Sequence, residues 1–266
     1  MHTTIGVSHN SAYIRPFPDP YPPEVTDAVI DHLHGDISSL RACALTSSSW
    51  LPTSRYHLFN NVCFEDEVSV LRWAKVFPVS SVIPSYVENL HISCVSLLDD
   101  FPDVSLDLPT FTGLKALFIG GSNVASVRPR FPNRDCFRKI ALFPSKTLRT
   151  FSFSYPVIPI SALFFAVRHF PCLDNIHLRY FTALPSDVVE DTGTEASPPF
   201  RGTLTLASNL SYGPLVANLL GFSGGIHFSC LNLAVLRDWE LPNLRTLVDM
   251  CSHTITSLHL TIDLGK

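Results

Sequence analysis

The sequence predicts an α/β protein in which a short N-terminal helical module continues into an irregular solenoid of parallel strands and helices. Two observations support this prediction. Three short segments with helix-start signals and helical apolar spacing lie near the N-terminus. From residue 59 onward, one apolar pattern returns at intervals close to 27 residues, which indicates a repeated structural unit.

The first predicted helix lies in the segment PPEVTDAVIDHL. Pro23 suits the first helical position, where a missing N–H costs nothing. Apolar residues at three- and four-residue steps form one stripe, made of Val25, Ala28, Val29 and Leu33. Ile30 lies outside this stripe, roughly 140° round the axis from Val25. The helix therefore has neighbours on two sides, or it covers a core with one face and offers the Ile30 face to a partner.

Two further short helices are predicted before residue 60. Asp36 is a candidate N-cap for the second helix, whose apolar residues are Ile37, Leu40, Cys43, Ala44 and Leu45. The segment WLPTSRYHLF supplies the third. Three short helices cannot bury all these apolar faces among themselves, so we expect the excess to meet another surface.

The pattern that returns downstream is apolar-x-x-apolar-x-apolar. Its first positions are residues 59, 87, 114, 148, 173, 201, 228 and 255, where Arg201 marks a degenerate copy. Helix-like stretches fall in the gaps at 66–77, 160–170, 214–220 and 241–251. Strand, loop, helix and turn in about 27 residues is the unit of a leucine-rich repeat. The strands should therefore stack as a parallel sheet over one shared core.

The predicted organisation has three parts. Residues 1–20 lack periodicity and are predicted to be a flexible tail, residues 21–58 form the helical module, and residues 59–266 form the solenoid. Two insertions, at 120–135 and 185–199, interrupt the rhythm and are predicted to be loops. No capping element follows the last apolar position, so we expect the solenoid to be incomplete at its C-terminus.

Composition and charge exclude several classes of protein. The formal net charge of −4 argues against a nucleic-acid partner. The longest apolar segment, 156–167, is too short to span a bilayer, and no secretory signal opens the chain. The seven cysteines contain no C-x-x-C spacing, which fits buried thiols in a reducing compartment. We expect a cytoplasmic or nuclear protein with no cofactor, no metal and no membrane contact.

One enzymatic alternative comes from GFSGG at residues 221–225, which matches the G-x-S-x-G motif of serine hydrolases. Ser223 would be the nucleophile, and its partners would be Asp238 or Asp249 with His253 or His259. A nucleophile elbow needs a strand before the turn and a helix after it. Here a helix-like stretch precedes the motif and a predicted strand follows. We therefore expect no enzyme, and hydrolysis is the remote alternative.

Nine residues near the N-terminus match a known family in order. They are Pro22, Glu24 and Val25 at the opening, Ile30 and Leu33 in the first helix, Leu40, Cys43 and Leu45 in the second, and Trp50 before the third. On these residues, the segment 21–64 resembles an F-box, especially the form abundant in mushroom-forming fungi. The downstream repeats resemble the leucine-rich repeats of F-box proteins at the level of the pattern.

This resemblance implies a substrate-recognition subunit of an SCF-type (cullin–RING) ubiquitin ligase. The nine matching residues would bind the SCF adaptor protein, and the repeats would bind a protein substrate. Arg128, Arg130 and Arg134 are a candidate contact for an acidic or phosphorylated substrate. Two alternatives stay open: a repeat-based interaction scaffold outside ubiquitination, and a helical module that only seals the end of the solenoid.

Overall fold

The structure, a computed structural model, describes most of the chain from Tyr21 onward. The described residues are 21–78, 80–93, 108–120, 134–144, 146–154, 157–158, 160–179, 182–183, 199–207, 212–221, 224–236 and 241–262. They belong to two units, residues 1–58 and residues 59–266. Within this part of the chain the protein is α/β, with eight α-helices and an eight-stranded parallel sheet.

The first unit contains three helices, α1 (Pro23–His32), α2 (Ile37–Thr46) and α3 (Leu51–Phe59). The predicted cap of α2 is confirmed, because Asp36 Oδ1 accepts the backbone N–H groups of Ser38 and Ser39, each at 3.1 Å. The hydroxyls of the same two serines donate to the Asp36 carboxylate. These bonds satisfy N–H groups that have no partner inside the helix.

Two polar bridges join α1 to α3. The Thr53 hydroxyl donates to the Asp27 carboxylate, and His57 Nε2 lies 2.7 Å from Asp31 Oδ1. The two acids are one turn apart on α1, and their partners are one turn apart on α3, so the bridges fix which side of α1 faces α3.

Ile30 is fully buried in this arrangement, with 0% of its surface exposed. Thr26, one turn earlier, is also buried, and its hydroxyl bonds back to the Pro22 carbonyl at 3.4 Å. The prediction that the Ile30 face of α1 is open to a partner is therefore wrong. The Thr26 hydroxyl has a hydrogen-bond partner within its own helix turn. The side of α1 that carries both polar Thr26 and apolar Ile30 can therefore be buried.

The second unit is built on the large parallel sheet. In spatial order its strands are β1 (Asn61–Phe64), β2 (Asn89–Ile92), β3 (Ala116–Gly120), β4 (Thr150–Ser154), β6 (Asn175–Arg179), β8 (Phe200–Ala207), β9 (Ile226–Leu236) and β10 (Ser257–Ile262). A separate pair, β5 (Val157–Ile158) and β7 (Thr182–Ala183), is also parallel. Each strand of the large sheet thus neighbours the copies before and after it in sequence.

Helices lie between several of these strands. They are α4 (Glu67–Val76), α5 (Arg134–Ile140), α6 (Ile160–Val167), α7 (Tyr212–Leu220) and α8 (Leu241–Met250), with 3₁₀ turns at Ile83–Tyr86 and Leu108–Thr110. The four helix-like stretches predicted from sequence are confirmed by α4, α6, α7 and α8. Among the described helices, none has the length and apolarity needed to cross a membrane.

Side chains of the eight strands stack in two apolar ladders. One contains Val62, Leu90, Leu117, Phe151, Ile176, Leu204, Leu231 and Leu258, and the other contains Phe64, Ile92, Ile119, Phe153, Leu178, Leu206, Leu233 and Leu260. From β2 to β9 every ladder residue is buried. These are the second and third apolar positions of the repeated pattern, so the predicted strands are confirmed in register.

The degenerate sixth copy contains a β-bulge at Gly202. Gly202 has φ +80°, and a Cβ built there would lie 2.0 Å from the Asp174 carbonyl oxygen. The Thr203 N–H donates to the same carbonyl at 2.7 Å, and the register between β8 and β9 shifts between Gly202 and Thr203. This bulge needs a residue without a side chain.

Consecutive repeats are also joined at the strand starts. The Glu88 carbonyl accepts N–H groups from Lys115 and Ala116, and the Lys115 carbonyl accepts those of Arg149 and Thr150, at 2.8–3.0 Å. Lys115 Nζ lies 2.6 Å from Glu88 Oε1. These repeated hydrogen bonds keep neighbouring strands in register.

Candidate functional site

The face of the large sheet opposite the apolar ladders, called the outer face below, is mostly polar. Because side chains alternate along a strand, each residue between two ladder positions points to this face. The middle row of the outer face consists of Cys63, His91, Phe118, Ser152, His177, Thr205, Asn232 and His259. Hydrogen-bond donors and acceptors therefore dominate it.

A groove of about 480 Å³ lies on the outer face over β1, β2, β3, β4 and β6. It is lined by Asn61, Val62, Cys63, Asn89, His91, Phe118, Ile119, Gly120, Ser152, Ser154 and Arg179. Among the residues that the structure describes, this lining contains one arginine and no acidic residue. The charge balance of the groove thus favours a negatively charged partner.

The groove is open because small residues lie between its larger side chains. Gly120 and Ser154 are register partners on β3 and β4, and a Cβ built on Gly120 would lie 3.2 Å from the Ser154 Cβ. A larger residue at either position would fill the groove beside Phe118 and Arg179. The volume is therefore set by side-chain size at a few outer-face positions.

Phe118 is the large apolar side chain of the middle row. It is 37% exposed, and its ring meets the His91 ring edge to face with centroids 6.4 Å apart. The sequence prediction did not single it out. A signal was present, because Phe118 occupies an outward position of its repeat where most other copies carry polar residues.

Arg179 lies at the end of β6 and is exposed. In the described part of the chain no carboxylate pairs with it, whereas the strand-start cations Lys115 and Arg149 are paired with Glu88 and Asp174. Burial lowers the pKa of His177, and the positive charge of Arg179 lowers it further. The neighbouring imidazole is therefore protonated less readily than a free histidine side chain.

Polar contacts order the other end of the groove. Asn89 Nδ2 donates to Asn61 Oδ1 at 2.8 Å, and Cys63 Sγ lies 3.7 Å from His91 Nδ1. Within the residues that the structure describes, no group of three His, Cys, Asp or Glu side chains is placed to hold a metal ion. The described lining of the groove offers hydrogen bonds, the Arg179 cation and the exposed Phe118 ring, which suit the recognition of a partner.

The nine predicted adaptor-binding residues fall into three groups. Pro22, Glu24, Val25 and Leu45 are exposed, Leu33, Cys43 and Trp50 are half-buried, and Ile30 and Leu40 are fully buried. Ile30 and Leu40 cannot contact a partner in this conformation. The prediction is therefore corrected for these two residues, which are part of the core of the helical unit.

The helical unit instead exposes a set of four aliphatic side chains, called the aliphatic set below. Val25 and Val29 lie one turn apart on α1 and are 48% and 53% exposed. Ile37 and Leu45 lie about two turns apart on α2 and are 56% and 89% exposed. Val29 and Ile37 are not among the nine residues predicted to bind the adaptor.

The other predicted site residues contribute no described geometry. Arg128 and Arg130 lie outside the described residues, and Arg134 is the first residue of α5, with its side chain outside them. Ser223 and Asp238 also lie outside the described residues. His253 and His259 are exposed, and Asp249 pairs with Arg245 at 3.8 Å on α8. The expected helix before GFSGG and strand after it are both present as α7 and β9.

No protein-family model matches this chain, and no curated protein is similar enough to match it. The class that the structure defines is an α/β protein with an eight-stranded parallel sheet. The case for a particular function therefore depends on the two surfaces described above, the aliphatic set and the groove.

Proposed function

We propose that this protein is the substrate-recognition subunit of an SCF-type ubiquitin ligase and acts in the cytoplasm or nucleus. In this proposal α1 to α3 form an F-box module that docks on the SCF adaptor. The repeats form a leucine-rich-repeat solenoid whose outer face holds a protein substrate. The observation that carries the proposal is the aliphatic set left exposed on α1 and α2.

Single exposed aliphatic residues are common on protein surfaces, but their proportion here is unusual. Ile30 and Leu40 are the fully buried aliphatic residues in the described part of the helical unit, whereas four are exposed on its first two helices. Burying each exposed side chain against a partner supplies roughly 1.5–3 kcal/mol, before the cost of association. Apolar anchors at helical spacing suit docking into a groove of a partner protein.

The architecture of the second unit supports the other half of the proposal. Its strands are parallel and follow sequence order across the large sheet, and the same apolar positions align in every copy. A leucine-rich-repeat solenoid has this arrangement, because each repeat buries its apolar face only against its neighbours. The outer face then provides a broad surface for a protein partner.

Binding of the purified full-length chain to recombinant SCF adaptor tests the proposal. We expect wild type to bind, and Val29→Asp and Leu45→Asp each to weaken binding about tenfold or more, since a charge replaces a buried aliphatic group. The matched control is Leu220→Asp on α7, whose leucine is 53% exposed in the other unit. The control should bind as wild type does.

Two results would overturn the proposal. One is the absence of adaptor binding by the wild-type chain. The other is binding that neither Val29→Asp nor Leu45→Asp weakens. Without adaptor binding, the repeat-based scaffold outside ubiquitination becomes the better account of the function. Binding that neither variant weakens would show that the aliphatic set is not the docking surface.

A further inference from the structure

We infer that the groove on the outer face recognises an extended peptide segment that presents a carboxylate to Arg179 and an apolar side chain to Phe118, four residues apart. The binding follows from the groove itself, and its role in selecting a ligase substrate rests on the proposed function. The peptide would lie across β3, β4 and β6.

Charge complementarity argues for the carboxylate. Arg179 is exposed, and the described part of the chain supplies neither a carboxylate partner for it nor an acidic side chain in the lining of the groove. A guanidinium binds a carboxylate with two parallel N–H···O bonds. A phosphate group carries a charge of about −2 at pH 7, and the described lining supplies one arginine, so a singly charged carboxylate is the better match.

The exposed ring of Phe118 argues for the apolar anchor. The ring is 37% exposed and lines the groove together with the small residues Gly120 and Ser152. An aliphatic or aromatic side chain placed there would remove apolar surface of both partners from water.

The shape of the groove argues for a length of chain. The groove extends over five adjacent strands, which corresponds to about 19 Å at the usual strand spacing. Ser152 and Ser154 lie between the two anchors and can hydrogen-bond a peptide backbone. An enclosed small-molecule site would cover most of its ligand, whereas this groove lies along an open sheet face.

The register fixes the spacing of the two anchors. Phe118 and Arg179 are two strands apart, and Arg179 aligns with Gly120, two residues beyond Phe118. Strand spacing and rise place their Cα atoms about 12 Å apart. An extended peptide covers about 13 Å in four residues, with both side chains on the same side. An apolar residue and an acid four positions apart therefore reach both anchors.

Selection from a random nonapeptide phage library on the full-length protein tests the inference. Wild type should enrich Asp or Glu four positions from an apolar residue. Arg179→Met should lose the enrichment of acids and keep that of apolar residues. Phe118→Ser should lose the enrichment of apolar residues and keep that of acids. Arg245→Met removes the same charge from the exposed face of α8 and should select as wild type does.

Affinities of the best enriched peptide, measured by fluorescence anisotropy, sharpen the test. Replacing its acid by the corresponding amide should weaken binding to wild type at least fivefold and leave binding to Arg179→Met unchanged. This double-mutant cycle assigns the loss to one pair of groups. Both substituted protein side chains are exposed, so the variants should fold.

Two outcomes would overturn the inference: wild type enriches no acid, or the enrichment of acids survives in Arg179→Met. Adaptor binding by Arg179→Met should equal that of wild type. A chain that selects acidic peptides but binds no adaptor would refute the proposed function and leave this inference standing.

Discussion

The two units of the molecule differ in how directly their sequence patterns indicate their buried faces. In the second unit, the second and third apolar positions of each repeat align in the ladders, and all are buried from β2 to β9. In the helical unit, the apolar stripe of α1 is exposed at Val25 and Val29, while Ile30 beside it is buried. Adjacent residues of similar hydrophobicity thus have opposite environments.

This difference shows that a repeated pattern identifies the buried face of an element more reliably than the pattern of a single element does. A strand has two faces, and a one-residue shift in a single copy would break its alignment with both neighbours. A ten-residue helix can turn any of several sides inward, and nothing in its own pattern ranks them. In α1 the choice is fixed by Asp27 and Asp31, which bond to Thr53 and His57 on α3.

The largest effect is expected from breaking a ladder. Phe151 on β4 is fully buried and packs near the Phe153 ring, with centroids 6.2 Å apart. Phe151→Ala should lower the free energy of unfolding by about 3–5 kcal/mol, because it removes a large side chain and leaves a cavity. Urea denaturation followed by circular dichroism measures this change.

The control for this prediction is a phenylalanine on the outer face of the neighbouring strand. Phe118→Ala should cost less than about 1 kcal/mol, because its ring is already partly in water. Similar losses for the two variants would show that the ladders do not carry the stability of the sheet.

The next largest effect is expected at Ile30. Ile30→Asp places a carboxylate in the core of the helical unit and should destabilise that unit by about 4 kcal/mol. Val29→Asp, one residue earlier, should change its stability by less than about 0.5 kcal/mol. Hydrogen exchange of the amides in residues 23–59 measures the stability of this unit separately from the sheet.

Equal protection of the amides from exchange in the two variants would mean that the Ile30 side of α1 is not the buried side. Faster exchange in Val29→Asp than in Ile30→Asp would reverse the assignment. The sequence-derived stripe of Val25, Ala28 and Val29 would then be the inner one.

Much of the fold could be predicted from sequence, and less of the candidate site. The strands of the large sheet, seven of the eight described helices and the Asp36 cap follow from local patterns in the sequence. The groove does not, because it joins residues from five strands between Asn61 and Arg179. Phe118 and Arg179 become neighbours only once the register is known. The side of α1 that is buried depends on bonds to α3, which the pattern of α1 cannot reveal.

A smaller effect of opposite sign is expected at Ser54 on α3. Its side chain is buried, and its Oγ has no hydrogen-bond partner within the described residues. Ser54→Ala should stabilise the helical unit by up to about 1 kcal/mol, because the cost of burying an unpaired hydroxyl disappears. The midpoint of thermal unfolding and the exchange rates of residues 23–59 report this gain.

Ser39→Ala is the control for that prediction, since the Ser39 hydroxyl donates to Asp36 at 2.6 Å. Losing this bond should destabilise the unit slightly. A loss of stability in Ser54→Ala would show that the hydroxyl has a partner that compensates its burial.

The smallest effect is a pH dependence at the α2 cap. Hydrogen bonds from Ser39 and Ser38 lower the pKa of Asp36 from 3.8 to about 2. The folded state therefore favours the charged carboxylate, and its stabilisation is complete above pH 3.8 and lost as the pH falls towards 2. Asp36→Ala should thus be less stable than wild type at pH 7, with a difference that closes over that range.

Asp36→Asn separates the cap from its charge, because asparagine caps helices without titrating here. The difference in melting temperature between Asp36→Asn and Asp36→Ala should stay constant from pH 7 to pH 2.5, whereas that between wild type and Asp36→Ala should shrink. A wild-type advantage over Asp36→Ala that persists unchanged at pH 2.5 would show that the charge of Asp36 contributes nothing. The cap would then resemble the ladders of the sheet, where shape and register alone decide the structure.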